Sequence, residues 1–529
     1  MKGWSTESVP GPDGVVCSVD RQASEAGVTV LRAGGNAVDA AIATSAALAV
    51  TTPHMCGMGG DLFALVHGPL TAAEGGEPAV LNASGRAGSG ADPDRLRAEG
   101  HAAMPFRGDV RSAPVPGCVD GWLALHERFG RLPLADVLAP AITLAEDGHE
   151  LSPLLAFMIP SLAGIEGCDE LVDADPDAAT LRRPGPARLL RTIAAEGRDG
   201  HYLGEFGRAL LAAGAGEYTD ADLARSQADW VAGVALDVWG HRVWTVPPNS
   251  QGYLALAGAG IAERAGLPAD PDDERWAHLS VEAARLAGYD RPAVLHNAAD
   301  GRALLDPDQL DARARRIDPD QAIDVPSLTA GGGTIYLCTA DGDGNGVSLI
   351  QSNASGFGSH VAVPGTGVLL HNRGIGFSLT PGHPAEYGPG RRPPHTLSPA
   401  LVTGPGGELR AVLGTMGGDS QPQVVLQLLA RLLRSGEDPG TIIGAPRWVL
   451  GRDDSTGFDV WEGGGPAHVR IEAHAPGAWA EGLSRRGHDV RRAGQDVAGF
   501  GHAHLIDLTP EGPVGAADPR SIIGAAISL

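Results

Sequence analysis

Hydrophobic and polar positions set out one hairpin more clearly than any other element of this chain. Gly331-Gly332-Gly333 frees the backbone, and Thr334-Ile-Tyr-Leu-Cys-Thr339 follows, rich in β-branched and aromatic residues. Asp341 to Asn345 forms a short Asp/Gly/Asn stretch before Gly346-Val-Ser-Leu-Ile-Gln-Ser352. Two such runs around such a loop predict a β-hairpin. With the loop centred on Asp343, Ser352 falls directly across from Thr334, and both hydroxyls share one face.

Elsewhere the pattern alternates between helical and strand-like stretches. Two helices are expected over residues 21 to 50, the first ending on Gly34-Gly35 and the second rich in small residues nearly all round, as a helix buried between layers would be. Met55-Cys-Gly-Met-Gly-Gly60 is a glycine turn that enters a strand, Asp61 to His67, and Ala79 to Leu81 reads as another strand. Residues 114 to 152 predict two helices, each stopped by glycine. From about 155 to 300 the pattern is mostly helical, with a short strand near Val243 and a loop at Pro247 to Gly252. Leu409 to Gly414 reads as a strand that runs through Gly417-Gly418 into a helix at Val424 to Leu433. Gly365 to Asn372 reads as a strand, and residues 379 to 394 form a Pro/Gly loop.

A chain of 529 residues exceeds one ordinary core, so two or more lobes or one large sandwich are expected. Acidic residues outnumber basic ones 64 to 40, for a formal charge of -24. So negative a body repels phosphate backbones, and nucleic acid is not an expected partner. A mean hydropathy of -0.05, with no run of about 18 apolar residues, gives no expectation of a membrane span. No signal-peptide pattern is read at the start, and a cytoplasmic location is the default expectation. Five scattered cysteines without a CxxC predict no disulfide framework or zinc knuckle. His502 and His504 read as solvated side chains, and no cofactor or metal is expected.

Among chemistries, no Gly-x-Ser-x-Gly elbow, HExxH or dinucleotide fingerprint occurs in order. Thr334 is the best remaining nucleophile: a threonine with a free α-amino group can use that amine as its base. Such an amine requires the chain to cut itself between Gly333 and Thr334. The polar segment 301 to 328 suits either a cleavage region or a linker. Arg86, just past a strand, suits either a carboxylate clamp or an ordinary ion pair. Gly417-Gly418 suits either an oxyanion site or a tight turn.

Several motifs then occur in a family's order: Gly34-Gly-Asn-Ala-Val-Asp-Ala-Ala41, the Met55 to Gly60 turn, Pro116-Gly-Cys-Val-Asp-Gly121, Asp343-Gly-Asn345, Gly356-Phe-Gly358, Pro364-Gly-Thr-Gly-Val-Leu-Leu370, Arg392-Pro393, Gly417-Gly418 and Ala516-Ala-Asp-Pro-Arg520. With these the whole chain resembles the γ-glutamyltransferase (γ-glutamyltranspeptidase) family of N-terminal-nucleophile hydrolases. The resemblance implies an α/β fold, a four-layer αββα sandwich, made as a precursor. Residues 1–333 would form a large subunit and 334–529 a small one, with a dimer of heterodimers as a further expectation. It also implies Thr334 as nucleophile, Ser352 as its supporting hydroxyl, Gly417 and Gly418 as oxyanion hole, and Arg86 for the donor's α-carboxylate. The partners implied are a small-molecule acyl donor and water or an amine acceptor.

The chain departs from the family pattern around the donor's amine. Ala354 stands for an asparagine, Arg373 and Gly376 for a glutamine and an aspartate, and His395-Thr396 for paired serines. Loss of an acid and gain of an arginine disfavour an ammonium group and favour another carboxylate. The loop at 379 to 394 is shorter than the family's full lid. These substitutions predict a donor other than glutathione, a dicarboxylic monoamide of the glutaryl type, as in acylase-like members. A true γ-glutamyl transferase and an uncut, non-catalytic member are the alternatives.

Overall fold

The computed structural model describes residues 4–72, 75–174, 180–214, 216–323, 333–451, 468–494 and 498–529. Within them two seven-stranded antiparallel sheets lie face to face. One sheet orders its strands as Ala525–Ser528, Gly14–Ser18, Gly333–Asp341, Gly346–Ala354, Asp61–His67, Ala79–Ala83 and Asp229–Val231. The other orders them as Val9–Pro10, Gly512–Ala517, Ala503–Thr509, Leu409–Thr415, Ala400–Thr403, His241–Thr245 and Val234–Val238.

Strand periodicity explains how the layers stack. Along Gly333–Asp341, Tyr336, Cys338 and Ala340 join Phe63, Ile350, Leu401 and Val412 in the core between the sheets. Ile335 and Leu337 point the other way and pack with helices Arg21–Arg32, Ala37–Thr51, Cys118–Phe129 and Leu134–Asp147. Helices Tyr253–Arg264, Glu274–Gly288 and Gln421–Leu429 cover the outer face of the second sheet. The result is the expected αββα arrangement, a single sandwich and not separate lobes. Both sheets combine strands from before residue 333 with strands from after it.

Helix Ala37–Thr51 shows why the central hairpin sits where it does. Every residue of it is buried, as a small-residue helix must be to lie this close to a sheet. Asn36 caps its N-terminus in a box with Asp39. Asp341, which closes the hairpin, accepts from the Ala37 amide at 2.9 Å and from the Asn345 amide at 3.0 Å. One carboxylate therefore fixes both the turn and the helix start.

Three expectations need correction. The stretch read as mostly helical contains strands Asp229–Val231 and Val234–Val238, one at the edge of each sheet. Both are too short to show a period of their own and owe their form to the neighbouring strands. His502 and His504 are buried, and the His504 ring stacks on Tyr336 at 6.2 Å between centroids. The strand read through Gly365 to Asn372 is only Val368–Leu369. Of the segment 301 to 328, expected as a cleavage region or linker, residues 301–323 are described and hold helix Pro307–Ala314, while 324–332 lie outside the described residues. All five cysteines are free and buried, and no helix among the described residues is long and apolar enough to cross a membrane.

Candidate active site

The hairpin pairs Ile335 with Gln351 and Ala340 with Gly346, then slips so that Gly333 faces Ala354. Ser352 and Asn353 thus stand opposite Thr334 alone, a β-bulge at the open end of the hairpin. Bulges re-aim side chains. Here Thr334 Oγ1 comes to 2.8 Å from Ser352 Oγ, with both residues buried. Ser352 Oγ also accepts from the Ala354 amide at 2.8 Å. Ala354 reaches this position in the left-handed region, at φ 71°. A Ser352 oxygen that already accepts one proton is well placed to orient the Thr334 hydroxyl.

Behind the pair lies a buried carboxylate. Ser352 faces Asp61 across the sheet. Asp61 Oδ1 accepts from the Gly85 amide at 2.8 Å, and Oδ2 accepts from His395 Nε2 at 3.0 Å. His371 Nδ1 lies 3.5 Å from the same Oδ2. Burial alone would raise the Asp61 carboxyl, but His371 and the bonds from His395 and Gly85 outweigh it and hold it below the usual range. Burial pushes His395 down to about 3, and the Arg373 charge adds to this. A neutral His395 donates from Nε2 and accepts the Leu397 amide at Nδ1, 3.4 Å away. His371 bonds the Pro114 carbonyl through Nε2 at 2.9 Å. His395 is thus bonded at both ring nitrogens, whereas His371 Nδ1 has no hydrogen-bond partner among the described residues.

Gly417 and Gly418 take φ values of 138° and 57°, which favour glycine. A side chain at Gly417 would run into Ser420 Oγ. Strand Leu409–Thr415 leads to them and runs antiparallel to the nucleophile strand across the sandwich. Gly414 lies against the Tyr336 ring, and Leu409 lies against Gly346 at the far end. Gly417-Gly418 therefore continues toward the end of the sandwich that holds Thr334. Gln251 ties the parts together: its Nε2 donates to the carbonyls of Gly418 at 3.1 Å and Thr396 at 3.0 Å, and its amide to that of His395 at 2.9 Å.

Around this centre are Arg373, Arg291 and Asp419. Burial lowers Arg373 to about 10, with Asp61 and Asp419 opposing and Arg291 adding to the drop. Arg291 Nη2 reaches Asp419 Oδ1 at 3.4 Å, one residue past Gly418. Thr396 is buried, and its hydroxyl has no hydrogen-bond partner among the described residues. A cavity of about 320 Å³ opens beside the site, lined by Arg291, Gly376, Phe377, His383 and Pro394.

Arg86 shows the ion-pair alternative. It donates to Asp229, and to the Ser226 carbonyl and Gln227 Oε1 at 3.3 Å each. Arg392 donates to the same Asp229 oxygen at 2.8 Å. Two guanidiniums thus share one partly exposed carboxylate, and a substrate carboxylate at Arg86 would have to compete with Asp229.

Residues 23–528 match the family model described as Gamma-glutamyltranspeptidase. The chain belongs to the gamma-glutamyltranspeptidase family. It is 36% identical to the glutathione hydrolase-like YwrD proenzyme of Bacillus subtilis, over 99% of this chain and 100% of that one. It is 35% identical to the oxamate amidohydrolase proenzyme of Klebsiella pneumoniae, over 97% and 98% respectively. Among solved structures, cephalosporin acylase from Bacillus halodurans aligns with a TM-score of 0.87 at 33% identity, covering 99% of this chain and 97% of that chain. The protein is thus an enzyme of a gamma-glutamyltranspeptidase family whose members are made as proenzymes, cut into subunits and active on small molecules.

Sequence reasoning passed over four residues of this gamma-glutamyltranspeptidase site: Asp61, Gln251, Arg291 and Asp419. Asp61 carried a signal, a carboxylate at the first position of an otherwise apolar strand right after a glycine turn. Asp419 directly follows the glycine pair. Gln251 lies in an ordinary loop and Arg291 opens the short helix Arg291–Val294, and both become visible only when remote segments meet.

Proposed function

We propose that the chain cuts itself between Gly333 and Thr334, and that Thr334 then carries the acyl group in hydrolysis or transfer of an amide. The Thr334 hydroxyl attacks the acyl carbonyl and gives its proton to its own freed α-amine. Ser352 orients that hydroxyl. Amide N–H groups at Gly417 and Gly418 serve the developing oxyanion, at roughly 3–4 kcal/mol per donor. The amine leaves with the proton, and water or an amine then takes the acyl group from Thr334. The 2.8 Å contact between Thr334 Oγ1 and Ser352 Oγ carries this reading.

For the donor we propose a monoamide of a dicarboxylic acid. Gly376 offers no acid to a donor ammonium, and Arg291 gives the neighbouring cavity a cationic wall. Thr396 brings a buried hydroxyl able to bond a donor carboxylate. Oxamate, in the name of the Klebsiella relative, is itself such a monoamide. Asp61 and Asp419, which face Arg373, favour a second reading, a γ-glutamyl donor whose ammonium they would hold.

Comparing glutaryl and γ-glutamyl anilides on the purified, incubated protein separates the two readings. Faster release of aniline from the glutaryl compound, lost in Thr334→Ala, is expected. A strong γ-glutamyl preference overturns the monoamide reading, and turnover that survives Thr334→Ala overturns the nucleophile.

A further inference from the structure

Away from the catalytic centre, two histidines and a glutamate from opposite sides of the proposed cut converge. His278 and Glu282 lie one turn apart on one face of helix Glu274–Gly288. His488 reaches them from the turn ahead of strand Val490–Arg492. His278 Nδ1 lies 3.0 Å from His488 Nε2, and His488 Nε2 lies 3.7 Å from Glu282 Oε1. The three ligand atoms all fall within 4.8 Å of one another. A tetrahedral ion with bonds of about 2.0–2.1 Å needs ligand atoms about 3.3–3.4 Å apart, so only small side-chain shifts are required.

We propose that His278, Glu282 and His488 bind one divalent transition-metal ion of the zinc type, which ties the large-subunit helix to the small-subunit turn. The surroundings support it, since metal ligands are normally oriented by second partners. His278 Nε2 gives its proton to the Asp318 carbonyl at 2.8 Å, and this leaves the Nδ1 lone pair facing His488. Glu282 Oε1 accepts from Arg285 at 2.7 Å and Oε2 from the Ile323 amide at 2.9 Å, so the carboxylate is held before any ion arrives. On binding, His488 presents Nε2 to the ion and carries its proton on Nδ1. A cavity of about 210 Å³, lined by Arg285, Ile323, Gly487 and His488, gives an entry path and room for a water as fourth ligand.

Charge selects the ion. Arg285 shares the Glu282 carboxylate, and Arg486 stands nearby on Glu274 at 3.1 Å. That cationic setting is poor for Mg²⁺ or Ca²⁺, which depend on carboxylate charge, whereas two imidazoles favour Zn²⁺. Ile323, held by the same carboxylate, is the last described residue before the segment that leads to Thr334. The site stands whether or not the cut occurs.

Calorimetric titration of the chelator-treated full chain with Zn²⁺ tests this. One ion per chain at micromolar or tighter affinity is expected, with a rise in melting temperature and no response to Mg²⁺. His488→Ala should lose both effects and leave amidase activity in place. Glu282→Gln, which keeps the shape, should weaken binding at least tenfold. A wild-type chain that takes up no stoichiometric Zn²⁺ overturns the proposal without recourse to any variant, as does uptake that survives both substitutions.

Discussion

Thr334 Oγ1 and Ser352 Oγ meet at 2.8 Å across a ladder that slips by one residue between them. Without the slip the two residues would be ordinary cross-strand neighbours. With it, Ser352 also takes the Ala354 amide and so has a fixed direction for its remaining hydrogen bond. Ser352→Ala should slow both cutting and turnover by about tenfold, the worth of one hydrogen bond of about 1.4 kcal/mol. Band intensities on a denaturing gel over time, together with anilide turnover, measure it. Unchanged rates would remove Ser352 from the site.

Asp61 is the buried anchor of the same region, bonded to His395 and to the Gly85 amide and close to His371. Asp61→Ala leaves that amide and ring without their acceptor. A loss of about 1–3 kcal/mol for each stranded group is expected from urea unfolding. Asp61→Asn keeps an acceptor for Gly85 and should recover part of it.

Gly417 tests the glycine pair. An alanine there must hold φ near 138° and displace Ser420 Oγ, which itself donates to the Gly417 carbonyl at 2.8 Å. Gly417→Ala should lower turnover about a hundredfold or more with the circular dichroism spectrum unchanged. Full activity would return these glycines to the role of a plain turn.

Buried neutral histidines set the response to acid. Burial, with Arg198 adding, pushes His201 down to about 3, and its ring stacks on Phe206 at 4.2 Å. Its folded value lies below the unfolded one of about 6.5. The neutral ring therefore contributes stability that is present above about pH 6.5 and is lost as pH falls from there toward 3. His201→Phe should reduce the stability lost between pH 7 and 5 by about 2 kcal/mol. Denaturant midpoints at the two pH values check this, and an unaltered slope would contradict it. His54 and His504, also held at about 3, act in the same direction.

How far sequence reaches differs between the hairpin and its surroundings. Pairing of Ile335 with Gln351 follows from loop length alone, because hairpin register is a local property. The one-residue slip at Thr334 is not legible, since it comes from the segments the open end meets. Helix Ala37–Thr51 announces itself by a run rich in small residues after Gly34-Gly35. Strands Asp229–Val231 and Val234–Val238 do not, because edge strands this short take their form from their neighbours. The same holds for charge: Arg291 meets Asp419, and Arg86 meets Asp229, across separations that no local pattern encodes.

Intact-mass analysis of the purified protein after prolonged incubation, with N-terminal sequencing of the smaller piece, bears most directly on the nucleophile. Two fragments are expected, the smaller reading Thr-Ile-Tyr-Leu from Thr334 onward, with Thr334→Ala remaining whole. An active protein that stays in one piece, or a small fragment that begins at any other residue, would contradict it.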